Sequence, residues 1–219
     1  MPKIGMDSIR DQAHGPHGEL VLKNAKRAKL KSVARKSAKA RTRPRANSSG
    51  KNVAAAKNMS QEHDALREQL VSLLKGGGAH VHFMDAVEKF PEAKRGTYAQ
   101  GLAHTAWQLL EHARIAQWDI LEFSRNREHV SPEFPEGYWP KAPAPKNEEE
   151  WSDTVAAFNR DLREMIRLVE NPKTDLYAPI AHGQGQTILR EALVLADHNA
   201  YHLGQLVDLR RALGSWPEG

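Results

Sequence analysis

Four segments of this chain carry apolar residues at helical spacing, and no segment alternates with period two. That pattern leaves little room for a sheet and points to helices packed on helices. The first stripe is Leu66, Leu70, Leu73 and Leu74, with Ser60 as its expected N-cap. Gly76-Gly77-Gly78 interrupts it, and a second piece is expected from Ala79 to Phe90, closed by Pro91. Thr105 and Gln108 form a capping box for a helix with the stripe Ala106, Leu109, His112, Ala116, Ile120 and Phe123. Residues 126–149 hold Pro132, Pro135, Pro140, Pro143 and Pro145, which forbid a helix or central strand. This loop also carries Phe134, Tyr138 and Trp139, residues suited to packing it down on the helices or to forming a lid. A third long helix is expected over about Glu148 to Glu170, with acidic residues at its positive end, stopped by Asn171-Pro172. Thr187 caps the last helix, which runs to Gly214. The fold class expected is an all-α antiparallel four-helix bundle.

Charge divides the chain of 219 residues in two. Residues 1–57 hold 15 Lys/Arg against 3 Asp/Glu, a balance of +12, and the remainder holds 17 against 24, a balance of −7. The basic stretch has few large apolar side chains and cannot offset the entropy of ordering itself. Residues 1–58 are therefore expected to be a disordered tail and residues 59–216 the folded domain, with Met59 a natural start for it. The tail could touch nucleic acid through charge alone, whereas the acidic body gives that no support. There is no cysteine, which excludes disulfides, thiolate metal sites and a cysteine nucleophile. No apolar run is long enough to span a bilayer, and the N-terminus lacks the apolar core of a secretory signal, so a cytoplasmic protein without a membrane partner is expected.

The last helix carries the chemistry. His198 and His202 are four residues apart, so they lie one above the other on one face. That face is the apolar one: His198 follows Leu195 by three, and His202 precedes Leu206 by four. Two inward imidazoles at this spacing read either as a hydrogen-bonded core pair or as metal ligands. His112, on a stripe position of another helix, supplies a third. Three imidazoles suit zinc, nickel, copper or iron and leave a position open, as catalytic sites require. The pattern differs from a metallopeptidase, because Asn199 stands where the general-base glutamate would follow the first histidine. It differs from a di-iron bundle, which needs several inward glutamates.

Several stretches together resemble the DinB-like superfamily of DNA-damage-inducible proteins and bacterial thiol transferases. They are Trp107-Gln108-Leu109-Leu110-Glu111-His112, Ile115-Ala116-Gln117-Trp118-Asp119, and Asp197-His198-Asn199-Ala200-Tyr201-His202-Leu203-Gly204-Gln205, followed by Leu209-Arg210-Arg211-Ala212-Leu213-Gly214. The resemblance covers roughly residues 60–215 and implies a four-helix bundle holding a metal through His112, His198 and His202. It also implies a homodimer and, for some members, transfer of a low-molecular-weight thiol.

The remaining histidines are more modest. His14, His17, His63 and His129 fall in tail, exposed helix or loop and read as solvated. His104, His80, His82 and His182 lie near helix ends, where each is either a surface residue or within reach of an open metal position. Glu191, seven before His198, shares its face and is the candidate catalytic base, or else the partner of a neighbouring arginine. The expected cofactor is one divalent transition metal, zinc or nickel first and iron or manganese next. The expected activity is that of a hydrolase or a thiol S-transferase acting on a small molecule. The alternative is a non-catalytic metal- or ligand-binding stress-response protein.

Overall fold

The computed structural model describes residues 48–217, with side chains from Gln61 onward; the expectation of a disordered basic tail lies largely outside the described residues. The described residues form helices α1 (Ser48–Lys75), α2 (Phe83–Val87), α3 (Ala106–Arg125), α4 (Glu148–Glu170) and α5 (Ile188–Ala212), with one 3-10 turn at Glu92–Lys94. No strand occurs among them, and the architecture is a helical bundle. Helix α3 packs on α4 and α5, and α1 packs on the same two helices.

Three of the expected helix starts are observed. Thr105 Oγ1 accepts from Gln108 N at 3.2 Å while Gln108 Oε1 accepts from Thr105 N at 3.1 Å, so two backbone donors that the helix leaves unpaired are satisfied reciprocally. Asn147 caps α4 and Thr187 caps α5 through their side-chain oxygens. Two expectations are corrected. Ser60 is not a cap, because α1 begins at Ser48 and passes through it. The upstream run Val53-Ala54-Ala55-Ala56 favours helix strongly enough to extend it. The piece after the glycines is shorter than Ala79–Phe90: α2 starts only after His82, whose N–H is taken by the Asp85 carboxylate at 2.9 Å. Gly76 and Gly77 hold φ of 69° and 81°, a turn that side chains resist, and so separate α2 from α1.

Two apolar clusters fill the interior. One gathers Phe83, Phe90, Trp107, Leu110, Phe158 and Leu206. The other gathers Leu70, Ile120, Met165, Val169, Ile188 and Leu195. Along α3, His112 and Gln117 fall between Leu110 of the first cluster and Ile120 of the second. Along α5, His198 and His202 fall between Leu195 of the second and Leu206 of the first. A polar layer is thus held between two dry ones. Arg210 closes one end of the bundle: it is 2% exposed and donates to the carbonyls of Asp85, Ala86, Glu88 and Lys89, the last turn and exit of α2.

Candidate metal centre

Helices α3 and α5 bring His112, His198 and His202 together, with one ring nitrogen of each within 4.8 Å of the others. All three are buried, at 4%, 8% and 5% exposure. The rings meet at wide angles, 55° between His112 and His198 and 78° between His112 and His202, so their edges converge rather than stack. Nε2 of His112 lies 3.2 Å from Nε2 of His198. Two imidazoles bound tetrahedrally to one zinc, at about 2.0–2.1 Å each, place their nitrogens about 3.3 Å apart.

The partners of the outer nitrogens select the tautomers. Nδ1 of His112 donates to the carbonyl oxygen of Tyr138 at 3.0 Å; a carbonyl only accepts, so that nitrogen carries the proton and Nε2 keeps a lone pair facing the cluster. Nδ1 of His202 donates in the same way to Gln205 Oε1 at 2.7 Å. Burial pushes the pKa of His112 down to about 3, helped by repulsion from His202. Burial also lowers His202 to about 4. His198 is driven well below the ordinary range, first by burial and then by His202 and His112. Neutral imidazoles with converging lone pairs are the ligand form that a divalent transition ion requires, so the donor set fits such an ion.

The long loop before α4 completes the site. Trp139 lies flat on His112, with ring centroids 3.8 Å apart and planes 3° apart, and His104 stacks on the indole at 4.1 Å. Of the four histidines at helix ends, His104 is therefore the one beside the cluster. His182 is tied to the carbonyl of Phe123 at 2.7 Å, and His80 and His82 are exposed. The preceding residue, Tyr138, is 4% exposed, and its hydroxyl donates to Asp119 Oδ2 at 2.6 Å. Burial and the Asp119 charge raise the Tyr138 pKa, which keeps that hydroxyl protonated. Asp119 Oδ1 is 2.7 Å from Nε2 of His129. The expectation of a solvated His129 is thus corrected: its side chain is 6% exposed, because the buried Asp119 carboxylate needs a donor on each oxygen. Asp119 and Tyr138 were missed as site residues. Asp119 is seven after His112 and shares its buried face, and an inward carboxylate is a signal that partners must be found.

Beside the histidines, Gln117 braces three helices. Its amide donates to the carbonyl of Phe158 at 2.6 Å, and its oxygen accepts from Asn199 at 2.9 Å. Asn199 therefore acts in packing at the position a metallopeptidase gives to its base. Glu191 is fully buried two helical turns before His198 and is paired with Arg190 at 2.6 Å; it is not in the cluster of converging donors. An open groove of about 460 Å³ lies between α3 and α4, against Glu111, Arg114, Glu150 and Asp153, and none of the three histidines lines it.

The family model described as the DinB superfamily matches residues 78–206, more than half of the chain, a span that takes in all three histidines. No curated protein and no solved structure gave a match.

Proposed function

The chain belongs to the DinB superfamily, and from that premise we propose that it is a metal-dependent enzyme binding one divalent transition ion, zinc or nickel before iron or manganese, through His112, His198 and His202. The observation that carries this reading is the convergence of three buried, neutral imidazoles, two of which, His112 and His202, commit their outer nitrogens to acceptors. Such an ion, when bound, supplies Lewis acidity that lowers the pKa of a water or of a substrate thiol. The chain contributes three neutral donors, a dry surround and an indole that shields one face of His112. Hydrolysis and S-transfer of a low-molecular-weight thiol both fit; having no cysteine, the protein takes its thiol from the substrate. Glu191 is the carboxylate proposed as base, acting from the same face of α5. The four long helices are proposed to run antiparallel and the chain to pair as a homodimer, which light scattering at micromolar concentration tests.

A second reading, metal or ligand binding without turnover, is favoured by one observation: each histidine is less than a tenth exposed, and Trp139 stacks over His112. The two readings separate in a metal-loaded assay of thiol transfer and of ester or amide hydrolysis. Activity that disappears in His112→Ala supports the enzyme. Stoichiometric metal without activity on either substrate class supports the binding protein.

Among the described residues no helix is long and apolar enough to cross a membrane.

A further inference from the structure

Tyr138 is held at two points by one helix. Its backbone carbonyl accepts from Nδ1 of His112, and its hydroxyl donates to Asp119. His112 and Asp119 are seven residues apart on α3, two turns along the same face, about 10.5 Å at 1.5 Å per residue. The residue therefore lies along α3 as a staple. Asp119 is 1% exposed, and its other oxygen is engaged by His129, so its carboxylate is fixed from both sides. The hydrogen bond that orients His112 comes from a main-chain oxygen on a loop. The Tyr138 main chain is held in its turn by its own N–H, which donates to the Pro135 carbonyl at 3.1 Å, and the hydroxyl grip on Asp119 fixes that turn along α3.

We propose that Asp119 is a positioning residue for the metal centre: by gripping the Tyr138 hydroxyl it sets the Tyr138 carbonyl against Nδ1 of His112 and so fixes the tautomer that turns the Nε2 lone pair inward. The proposal rests on reading the three histidines as metal ligands. Partners one step removed from a ligand fix its ring and tautomer, and their loss weakens metal binding by about ten- to a hundredfold. The neighbouring Trp139 depends on the same grip, because it follows Tyr138 directly and lies on the His112 ring.

The test uses the full chain and zinc as the probe. Asp119→Ala and Tyr138→Phe remove the grip at either end. Asp119→Asn keeps an oxygen for the Tyr138 hydroxyl and an amide for His129, and serves as the rescue. Zinc affinity is expected to fall about ten- to a hundredfold in the first two and to stay near wild type in the third. Nitrogen NMR of the zinc-free protein reads the tautomer directly: His112 is expected to be protonated at Nδ1 in the wild type and in Asp119→Asn, and to lose that preference in the other two. Destabilisation alone lowers the melting temperature without moving the tautomer. Folded Asp119→Ala or Tyr138→Phe protein that keeps the wild-type tautomer overturns the proposal, and Tyr138→Phe decides if Asp119→Ala does not fold. A wild type that takes no zinc rejects the metal reading, and the tautomer measurement still decides the role of Asp119.

Discussion

Nε2 of His112 and Nε2 of His198 face each other at 3.2 Å, although 86 residues separate them in sequence. The Tyr138 carbonyl holds the proton of His112 on the far side of the ring, so its near nitrogen is an acceptor. Such a nitrogen needs a proton or a cation from across the gap. His202, with its own outer nitrogen committed to Gln205, adds a second lone pair to the same space.

The metal-free protein is expected to lose stability as pH falls below about 6.5. The three imidazoles have lowered pKa values in the folded state, to about 3 for His112 and about 4 for His202, against 6.5 when unperturbed. The unfolded chain therefore takes up protons that the folded one refuses. The stabilisation is complete above 6.5 and is lost on acidification towards the folded values, by up to about 1.4 kcal/mol per pH unit for each histidine. The carboxylates Glu148 and Glu150, lowered from 4.5, act only below that value, and Asp161, raised by burial, works in the opposite direction. Thermal melts in chelator should be flat from pH 8 to 7 and fall between 6.5 and 4.5. Melts unchanged across that interval would mean that the histidines are not buried neutral.

Much of this arrangement is legible in the sequence, and the reasons differ by residue. His112, His198 and His202 occupy stripe positions, and stripe positions point inward whatever the rest of the chain does. Thr105 and Gln108 announce a helix start because the capping box is local chemistry. The Tyr138 contact is not legible, since the acceptor is a main-chain oxygen that every residue possesses. The stacking of Trp139 depends on a loop path that proline content leaves undetermined. His129 looked solvated because its loop position says nothing of the Asp119 carboxylate ten residues back. Ser60 resembles a cap in isolation, yet the alanine-rich run before it continues the helix.

Trp139 should report metal binding optically. The indole lies flat on His112, so an ion at Nε2 alters its immediate electrostatic surroundings. Zinc titration is expected to change tryptophan emission in the wild type and to leave emission nearly unchanged in Trp139→Phe, although four other tryptophans remain. An equal response in both proteins would place the ion away from the stacked face.

Glu191→Gln separates stability from metal binding. The carboxylate is fully buried and paired with Arg190, so neutralising it should lower the melting temperature, at a cost of about 1–3 kcal/mol for disturbing a buried charged hydrogen bond. Zinc affinity is expected to stay at the wild-type level, because Glu191 stands two turns from His198. A drop in turnover beyond the loss of folded protein would assign it the role of base, and a drop in zinc affinity would contradict its placement.

Arg210→Ala should be among the most destabilising substitutions outside the centre. It leaves four carbonyls around the end of α2 without their donor and opens a space beside Phe90. A loss of about 3 kcal/mol or more in denaturant unfolding is expected, with zinc stoichiometry retained in the folded fraction. A loss below about 1 kcal/mol would show that water replaces the guanidinium at this site.

Metal analysis with a chelator control bears most directly on the central claim. An ion that binds only the folded chain raises its stability by about 3 kcal/mol at a hundredfold excess over the dissociation constant. The purified wild type is expected to hold one equivalent of a divalent transition metal and to melt lower in chelator. His198→Ala and His202→Ala are expected to hold little metal and to melt alike with and without chelator. No metal and no chelator effect in the wild type, or a full equivalent surviving loss of both His198 and His202, would contradict the account.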